Sequence, residues 1–348
     1  MQFGIAGIHI NQTVKNGREA AELVRYGEEL GYEFAILADR RRDVFVTLTL
    51  AAQATSRIQL WCGVVNPYVR HPIINANAIA TVDELAPGRL VLGYGAGNVT
   101  ELVPQMGFDR RRSYERVHEA IQIVRQALDQ SDVQFEGKHF RANGEELGLK
   151  TEHKIPIFVA GNGPRMLAVG GELADGVITQ YTNPTLFTKA MEAVRRGAER
   201  GGKDPSGVEV VWEGALVVTD EDIEKPSDAV PLSWATNCLL FTPPKWLEEY
   251  GVTAETLDRI RESYRVGAHV DAKTAASYER ELLEEGIVTE DMVDMYSIAG
   301  SPAQCAARIR ALEELGLTKV ALWISTSDPD GKREIIRSVA EKLVPLFR

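Results

Sequence analysis

Cysteine is scarce in this chain, aromatic side chains are few and positive charge is in deficit. Only Cys62, Cys238 and Cys305 occur in 348 residues, widely spaced and odd in number. They form no CxxC pair, so neither a disulfide framework nor a structural zinc is expected, and a reducing cytoplasm is the implied compartment. Lys and Arg total 39 against 50 Asp and Glu, a formal net charge of -11. That balance argues against nucleic acid as a partner and leaves only local basic runs, Arg40-Arg41-Arg42 and Arg110-Arg111-Arg112. No apolar run is long enough to span a bilayer. The start, Met1-Gln2-Phe3-Gly4-Ile5, enters a strand pattern at once, without a basic and then apolar leader. His71, His118, His139 and His153 share no spacing such as HExxH, so no metal is assigned. No GxGxxG turn follows the first strand, which ends Ala6-Gly7-Ile8-His9. The usual mark of a doubly wound dinucleotide fold is therefore missing.

What is present is a regular alternation of strand-like and helix-like runs. Strands are predicted at 2–8, 33–38, 58–63, 90–95, 155–161, 176–181, 208–218 and 319–325. Helices are predicted at 17–30, 43–54, 73–84, 112–128, 164–173, 185–201 and 301–315. The strands read as nearly continuous Val, Ile, Ala and Leu, as expected when both faces are covered. Eight strands with helical connections predict an α/β fold, a single-domain (β/α)8 TIM barrel over 1–348. Two insertions interrupt the repeat. Residues 132–143 read as a hairpin after strand four. Residues 220–296 are far too long for a βα loop and hold helices at 254–266, 271–285 and 289–295. This second insertion is expected to cap the barrel mouth.

In such a barrel functional groups collect at the C-terminal ends of the strands. Those ends carry His9, Asp39-Arg40, Gly63-Val64-Val65-Asn66, Gly95-Ala96-Gly97-Asn98, Ala160-Gly161-Asn162-Gly163-Pro164-Arg165, Gln180-Tyr181, Trp212-Glu213 and Trp323. The strand-five turn is the clearest anion site. Its glycines free the backbone, Pro164 suits a first helical turn, and Arg165 can add a charge-assisted bond to phosphate. His9 is a candidate proton donor or a satisfied rim histidine. Arg40 is a candidate for stabilising negative charge or a solvated cation. Asn98 either bonds a ligand or caps the next helix. Glu213 is either a buried catalytic carboxylate or a strand carboxylate facing the helical shell.

These residues carry a resemblance. The stretch Gly63 to Pro72, the run Ala80-Thr81-Val82-Asp83-Glu84-Leu85 with Gly88-Arg89, Gly161 to Pro164 with Ala174-Asp175-Gly176, and Ser297-Ile298-Ala299-Gly300-Ser301-Pro302 together resemble the bacterial luciferase-like superfamily of flavin and deazaflavin enzymes, in its methylenetetrahydromethanopterin-reductase-like branch. The resemblance implies reduced coenzyme F420 or FMN bound across the mouth, with its phosphate at Gly161 to Arg165. It implies a non-prolyl cis peptide at Gly63–Val64 backing the ring. The cofactor-binding set it implies is Asp39, Gly63, Val64, Val65, Asn66, Gly95, Ala160, Gly161, Asn162, Gly163, Pro164, Arg165 and Gln180, with His9, Arg40 and Asn98 as catalytic candidates. A homodimer is implied as well.

Three positions depart from the reductases' pattern. Ala6 stands where they carry a carboxylate near the end of strand one. Arg40 follows Asp39 where they often have His. Asn98 replaces an acidic residue after the strand-four glycines. An Asn cannot deliver a proton as a carboxylic acid can. The expected function is a cytoplasmic oxidoreductase giving hydride from reduced cofactor to a small organic substrate. The alternatives are an FMN-dependent monooxygenase, fed by a separate reductase, and a non-catalytic flavin-binding subunit.

Overall fold

The computed structural model describes residues 1–7, 14–39, 42–97, 106–109, 111–267, 272–324, 326 and 328–348. Within them lie eleven strands: β1 Gln2–Ala6, β2 Phe34–Leu37, β3 Gln59–Val65, β4 Leu90–Gly95, β5 Val133–Glu136, β6 Arg141–Gly144, β7 Ile157–Ala160, β8 Gly176–Thr179, β9 Glu209–Val218, β10 Ser297–Gly300 and β11 Lys319–Trp323. The helices used below are α1 Gly17–Glu29, α2 Val44–Ala54, α3 Pro72–Asp83, α4 Ser113–Gln130, α5 Pro164–Leu173, α6 Pro184–Arg200, α7 Leu232–Phe241, α8 Pro244–Leu247, α9 Ala254–Gly267, α10 Ala272–Glu284, α11 Glu290–Asp294, α12 Pro302–Glu314 and α13 Pro329–Ser338.

Strands β1, β2, β3, β4, β7, β8, β9 and β11 pair in that order, all parallel, and β11 returns to β1. The ring is a closed eight-stranded barrel whose members are the eight predicted strands. β5 and β6 form a separate antiparallel hairpin, and it follows α4 rather than strand four directly.

β10 is absent from the sequence-based expectation, which takes Ser297-Ile298-Ala299-Gly300 as a lead-in to α12. The reason lies in β9, which is ten residues long. Residues 209–214 of β9 satisfy their ladder with β8 and β11. Residues 215–218 run on past that pairing, and β10 pairs with them, Ser297 opposite Ala215 and Gly300 opposite Val218. Unpaired buried backbone groups are costly, so a short strand here is physically reasonable.

Helices α7, α8 and α13 also go beyond the predicted set. Their prolines read as loop punctuation in sequence. In the structure Pro244 and Pro329 occupy first helical turns, where a missing N–H costs nothing, and Pro231 sits just before α7.

The lumen has a packed floor. Phe34, Trp61 and Phe158 stack across it, with ring centroids 4.9 Å apart for Phe34–Trp61 and 4.4 Å for Trp61–Phe158. Side-chain-free positions admit these rings: a Cβ on Gly4 would stand 2.4 Å from Phe34, and one on Gly176 2.2 Å from Phe158. Ala6, Ile36, Val91, Ile178, Val211 and Ala321 complete the inner cluster. A larger apolar layer lies between the strands and the helices.

Candidate active site at the barrel mouth

Residues paired across parallel strands share a face. Glu213 pairs with Ala321 and lies two residues beyond Val211, both members of the inner cluster. The sequence allows two orientations for this carboxylate, and the register places it on the lumen side. Burial alone pushes its pKa from the ordinary 4.5 up to about 7. No ion pair or hydrogen bond to a described residue offsets that burial.

Helix α7 comes down beside it. Cys238 on α7 is buried, which raises its thiol pKa first, and the Glu213 charge raises it further. Trp234 on the same helix packs against Trp323 at the end of β11, with centroids 4.8 Å apart, and donates its indole N–H to the Tyr296 carbonyl at 2.8 Å. Glu279 on α10 accepts from the Ser233 N–H at the start of α7, and burial pushes its pKa up to about 7 as well. Sequence periodicity does not reveal α7, so Trp234 goes unmarked in the sequence and Cys238 is read there only for its spacing, while Glu279 lies on a predicted helix without being singled out. For Glu213 a usable signal exists, because it shares the parity of Val211 on a strand whose alternate residues face inward.

The β3–β4 wall is irregular. Its register shifts between Cys62 and Val65, and the Gly63–Val64 peptide bond is cis, as the resemblance implies. Only Gly fits at 63, because a Cβ there would stand 2.1 Å from Ile36 Cγ2. The Val64 side chain lies over β4, where a Cβ on Gly95 would come within 2.9 Å of it. Val65 and Asn66 are buried. Asn66 Oδ1 accepts the N–H groups of Tyr68 at 3.0 Å and Val69 at 3.3 Å, which folds the loop back on the strand. Beside this wall, Asp39 accepts from Arg70 Nη1 at 3.0 Å and from the Val44 N–H at 3.4 Å. Burial raises the Asp39 pKa, and Arg70 opposes that shift.

Across the mouth, the turn after β7 is tied to β8. Asn162 is buried. Its Nδ2 donates to Gln180 Oε1 at 2.7 Å, and its carbonyl accepts from Tyr181 Oη at 2.7 Å. Gln180 in turn accepts, through its carbonyl, the Trp212 indole N–H at 3.1 Å. Gly161 is tightly seated, because a Cβ there would lie 2.6 Å from Met166 Cγ. Gly163 is not: nothing stands within 4 Å of its Cβ position. It is the N-cap of α5, Pro164 follows, and no side chain caps the helix. First-turn N–H groups beside open space, at the positive end of a helix, form a cradle for an anion. Arg165 is exposed and lies over the Tyr114 ring at 5.3 Å. Ala160 sits just below the turn, at the end of β7.

The structure thus brings Gly63, Val64, Val65, Asn66, Gly95 and Asp39 to one wall and residues 160–165 with Gln180 to another. His9, Arg40 and Asn98 lie outside the described residues, as do Ile8, Arg41, Arg110, Asp271 and Ser325.

Such a mouth suits a ring-shaped redox cofactor with an anionic arm. Residues 1–319 match the model of the luciferase-like monooxygenase family, and the chain belongs to that family. It is an oxidoreductase of the luciferase-like superfamily. It is 31% identical over 330 residues to a 5,10-methylenetetrahydromethanopterin reductase of Archaeoglobus fulgidus, covering 93% of this chain and 94% of the relative. An F420-dependent glucose-6-phosphate dehydrogenase of Kineococcus radiotolerans is 26% identical over 311 residues, 88% and 83% of the two chains. Among solved structures, the coenzyme F420 dependent tetrahydromethanopterin reductase of Methanopyrus kandleri superposes with a TM-score of 0.81 at 28% identity, covering 100% of this chain and 99% of that one. Among the described residues no helix is long and apolar enough to cross a membrane.

Proposed function

We propose that this protein uses reduced coenzyme F420 to reduce a small organic substrate at the barrel mouth, with Glu213 as the proton donor. The observation that carries this is the lumen-facing Glu213 carboxyl, whose pKa is about 7. A carboxyl tuned to that value is half protonated near neutrality and suits general acid work. When bound, reduced F420 supplies the hydride. The turn from Gly161 to Arg165 would hold its phosphate, and the backbone from Gly63 to Asn66 would lie against its ring. Asp39, Gly95, Ala160 and Gln180 would border it. Glu213 gives its proton to the substrate atom that gains electron density, so hydride and proton together complete a two-electron reduction. Where the reductases carry a carboxylate on strand one, this chain has Ala6, paired with Trp323. The acid would come from β9 instead.

The names of the relatives support F420 ahead of FMN. Three buried, unpaired cysteines support a reducing cytoplasm. The chain acts as one domain, in which the 220–296 insertion shields the mouth, as the Trp234–Trp323 contact suggests. α2 is apolar almost all round and α3 has no single apolar face, yet Val46 is 61% exposed and Ile74 55%, which supports a homodimer through those helices. Sedimentation should give twice the chain mass.

The test of function is direct. The purified protein should bind F420 more tightly than FMN, and its reduced F420 should be oxidised by a substrate bearing a polarised double bond without oxygen uptake. Oxygen uptake with reduced FMN from a separate reductase would replace this reading with the monooxygenase. Cofactor binding without turnover by any acceptor would make the chain a flavin-binding subunit.

A further inference from the structure

Tyr181, at the end of β8, has a place in the fold that the reaction above does not use. It is fully buried, and its Oη donates to the Asn162 carbonyl at 2.7 Å. Asn162 and Gly163 are joined by a trans peptide bond. In such a planar unit the carbonyl and the following N–H point in opposite directions. With the carbonyl aimed inward at the phenol, the Gly163 N–H points away from it, and that N–H finds no acceptor among the described residues. Open space adjoins it, since nothing stands within 4 Å of the Gly163 Cβ position. Pro164 follows and brings no N–H of its own, so the direction of the Gly163 N–H decides what the turn offers an anion.

The phenol is held from the far side by the 220–296 insertion. Its ring lies 6.0 Å from that of Tyr296 and 5.9 Å from that of Trp246, centroid to centroid. Burial raises the Tyr181 pKa, and a hydrogen bond with the Thr242 side chain opposes that rise. Thr242 follows α7 directly and is itself fixed, with Oγ1 2.8 Å from Tyr296 Oη and 2.9 Å from the Cys238 carbonyl. Thr242 and Tyr296 are buried as well. Next along the chain, the Thr182 N–H donates to the Met295 carbonyl at 2.8 Å. Three hydroxyls thus run without a gap from the insertion to the Asn162 carbonyl, in an environment where each polar group is expected to find a partner.

We infer that Tyr181 is a positioning residue for the cofactor: its phenol turns the Asn162–Gly163 peptide so that the Gly163 N–H meets the phosphate, and Thr242 and Tyr296 hold the phenol in that orientation. The inference rests on the reading that this turn holds the phosphate of F420. It gives the insertion a second task, at the anion turn, beside shielding the mouth.

The test is a fluorescence titration of wild type, Tyr181→Phe, Thr242→Val and Thr242→Ser with two ligands, F420 and its phosphate-free deazaflavin fragment. Tyr181→Phe keeps the ring and removes the hydroxyl. It should weaken F420 binding by roughly tenfold, the worth of one directed hydrogen bond, and leave affinity for the fragment within about twofold. Thr242→Val, on the insertion rather than the turn, should weaken F420 in the same selective way and by less, and Thr242→Ser, which keeps the hydroxyl, should bind as wild type does. The Thr242 pair carries the test if Tyr181→Phe fails to fold. Wild-type F420 affinity in both Tyr181→Phe and Thr242→Val would overturn the inference. So would an equal loss for F420 and the fragment, which marks a packing role. Failure of the wild-type protein to bind F420 would overturn the F420 reading and this inference together.

Discussion

The two ends of the barrel lumen are built to opposite rules. At the floor, Phe34, Trp61 and Phe158 fill the space, and Gly4 and Gly176 are small because those rings are large. At the mouth the inward positions Ala6, Gly63, Ala160 and Glu213 are small or polar, and Trp323 at the end of β11 packs against the inner cluster from that side. The floor is built from stacked rings, whereas the mouth carries a carboxyl, Glu213, with no ion pair or hydrogen bond to a described residue. An acid so placed at one end of a core is the kind of group that marks a functional site, which is why the proposed proton donor is Glu213.

The largest expected effect separates the two ends by activity. Glu213→Gln removes the acid while keeping its size. It should lower turnover by about 10²–10⁴-fold and leave F420 affinity within about twofold. The wild-type rate should fall as pH rises through about 7, where Glu213 loses its proton, and the variant should lack that limb. Stopped-flow oxidation of reduced F420 across pH checks both.

Next comes the floor. Trp61 is almost wholly buried between two rings, so Trp61→Ala should cost about 3–5 kcal/mol in denaturant unfolding. If it left stability intact, the floor would not be the packed end described here.

A finer contrast lies inside the mouth, between Gly161 and Gly163. Gly163→Asp meets no neighbour and places a favoured N-cap residue on α5, so stability should shift by only a few tenths of a kcal/mol, about the Gly-to-Asp difference at a cap. Its charge at the cradle should nonetheless weaken F420 binding by roughly tenfold or more. Gly161→Ala would be ambiguous, because its Cβ crowds Met166.

The same carboxyl also sets how stability responds to pH. The folded protein holds the Glu213 proton up to about pH 7, whereas the unfolded chain releases it near 4.5. Native stability therefore falls as pH rises through that window and is level above it. Glu213→Gln should be more stable than wild type at pH 8, and the gap should close near pH 5.

Much of this was legible in the sequence. Continuous apolar runs separated by helical periods are enough to place all eight ring strands, and the strand-five glycines with Pro164 mark the turn proposed to hold the anion. Two kinds of feature were not legible. β10 and α7 depend on tertiary context, since β10 forms because β9 extends past its ring partners, and α7 carries no clear amphipathic period. The parity of Glu213 with Val211 can be read from the sequence, but which parity faces the lumen is fixed by the register with Ala321. The catalytic candidates His9, Arg40 and Asn98 fall outside the described residues, so the acid assigned here comes from a position for which the sequence allowed two orientations.

The central claim is that Glu213 stays protonated close to neutrality inside the mouth. Carbon-detected NMR titration of glutamate carboxyls in wild type and Glu213→Gln tests it without cofactor or substrate. The account predicts two carboxyls titrating near 7, from Glu213 and Glu279, of which the variant loses one. A wild-type spectrum in which the resonance lost in the variant titrates near the ordinary 4.5 would contradict it.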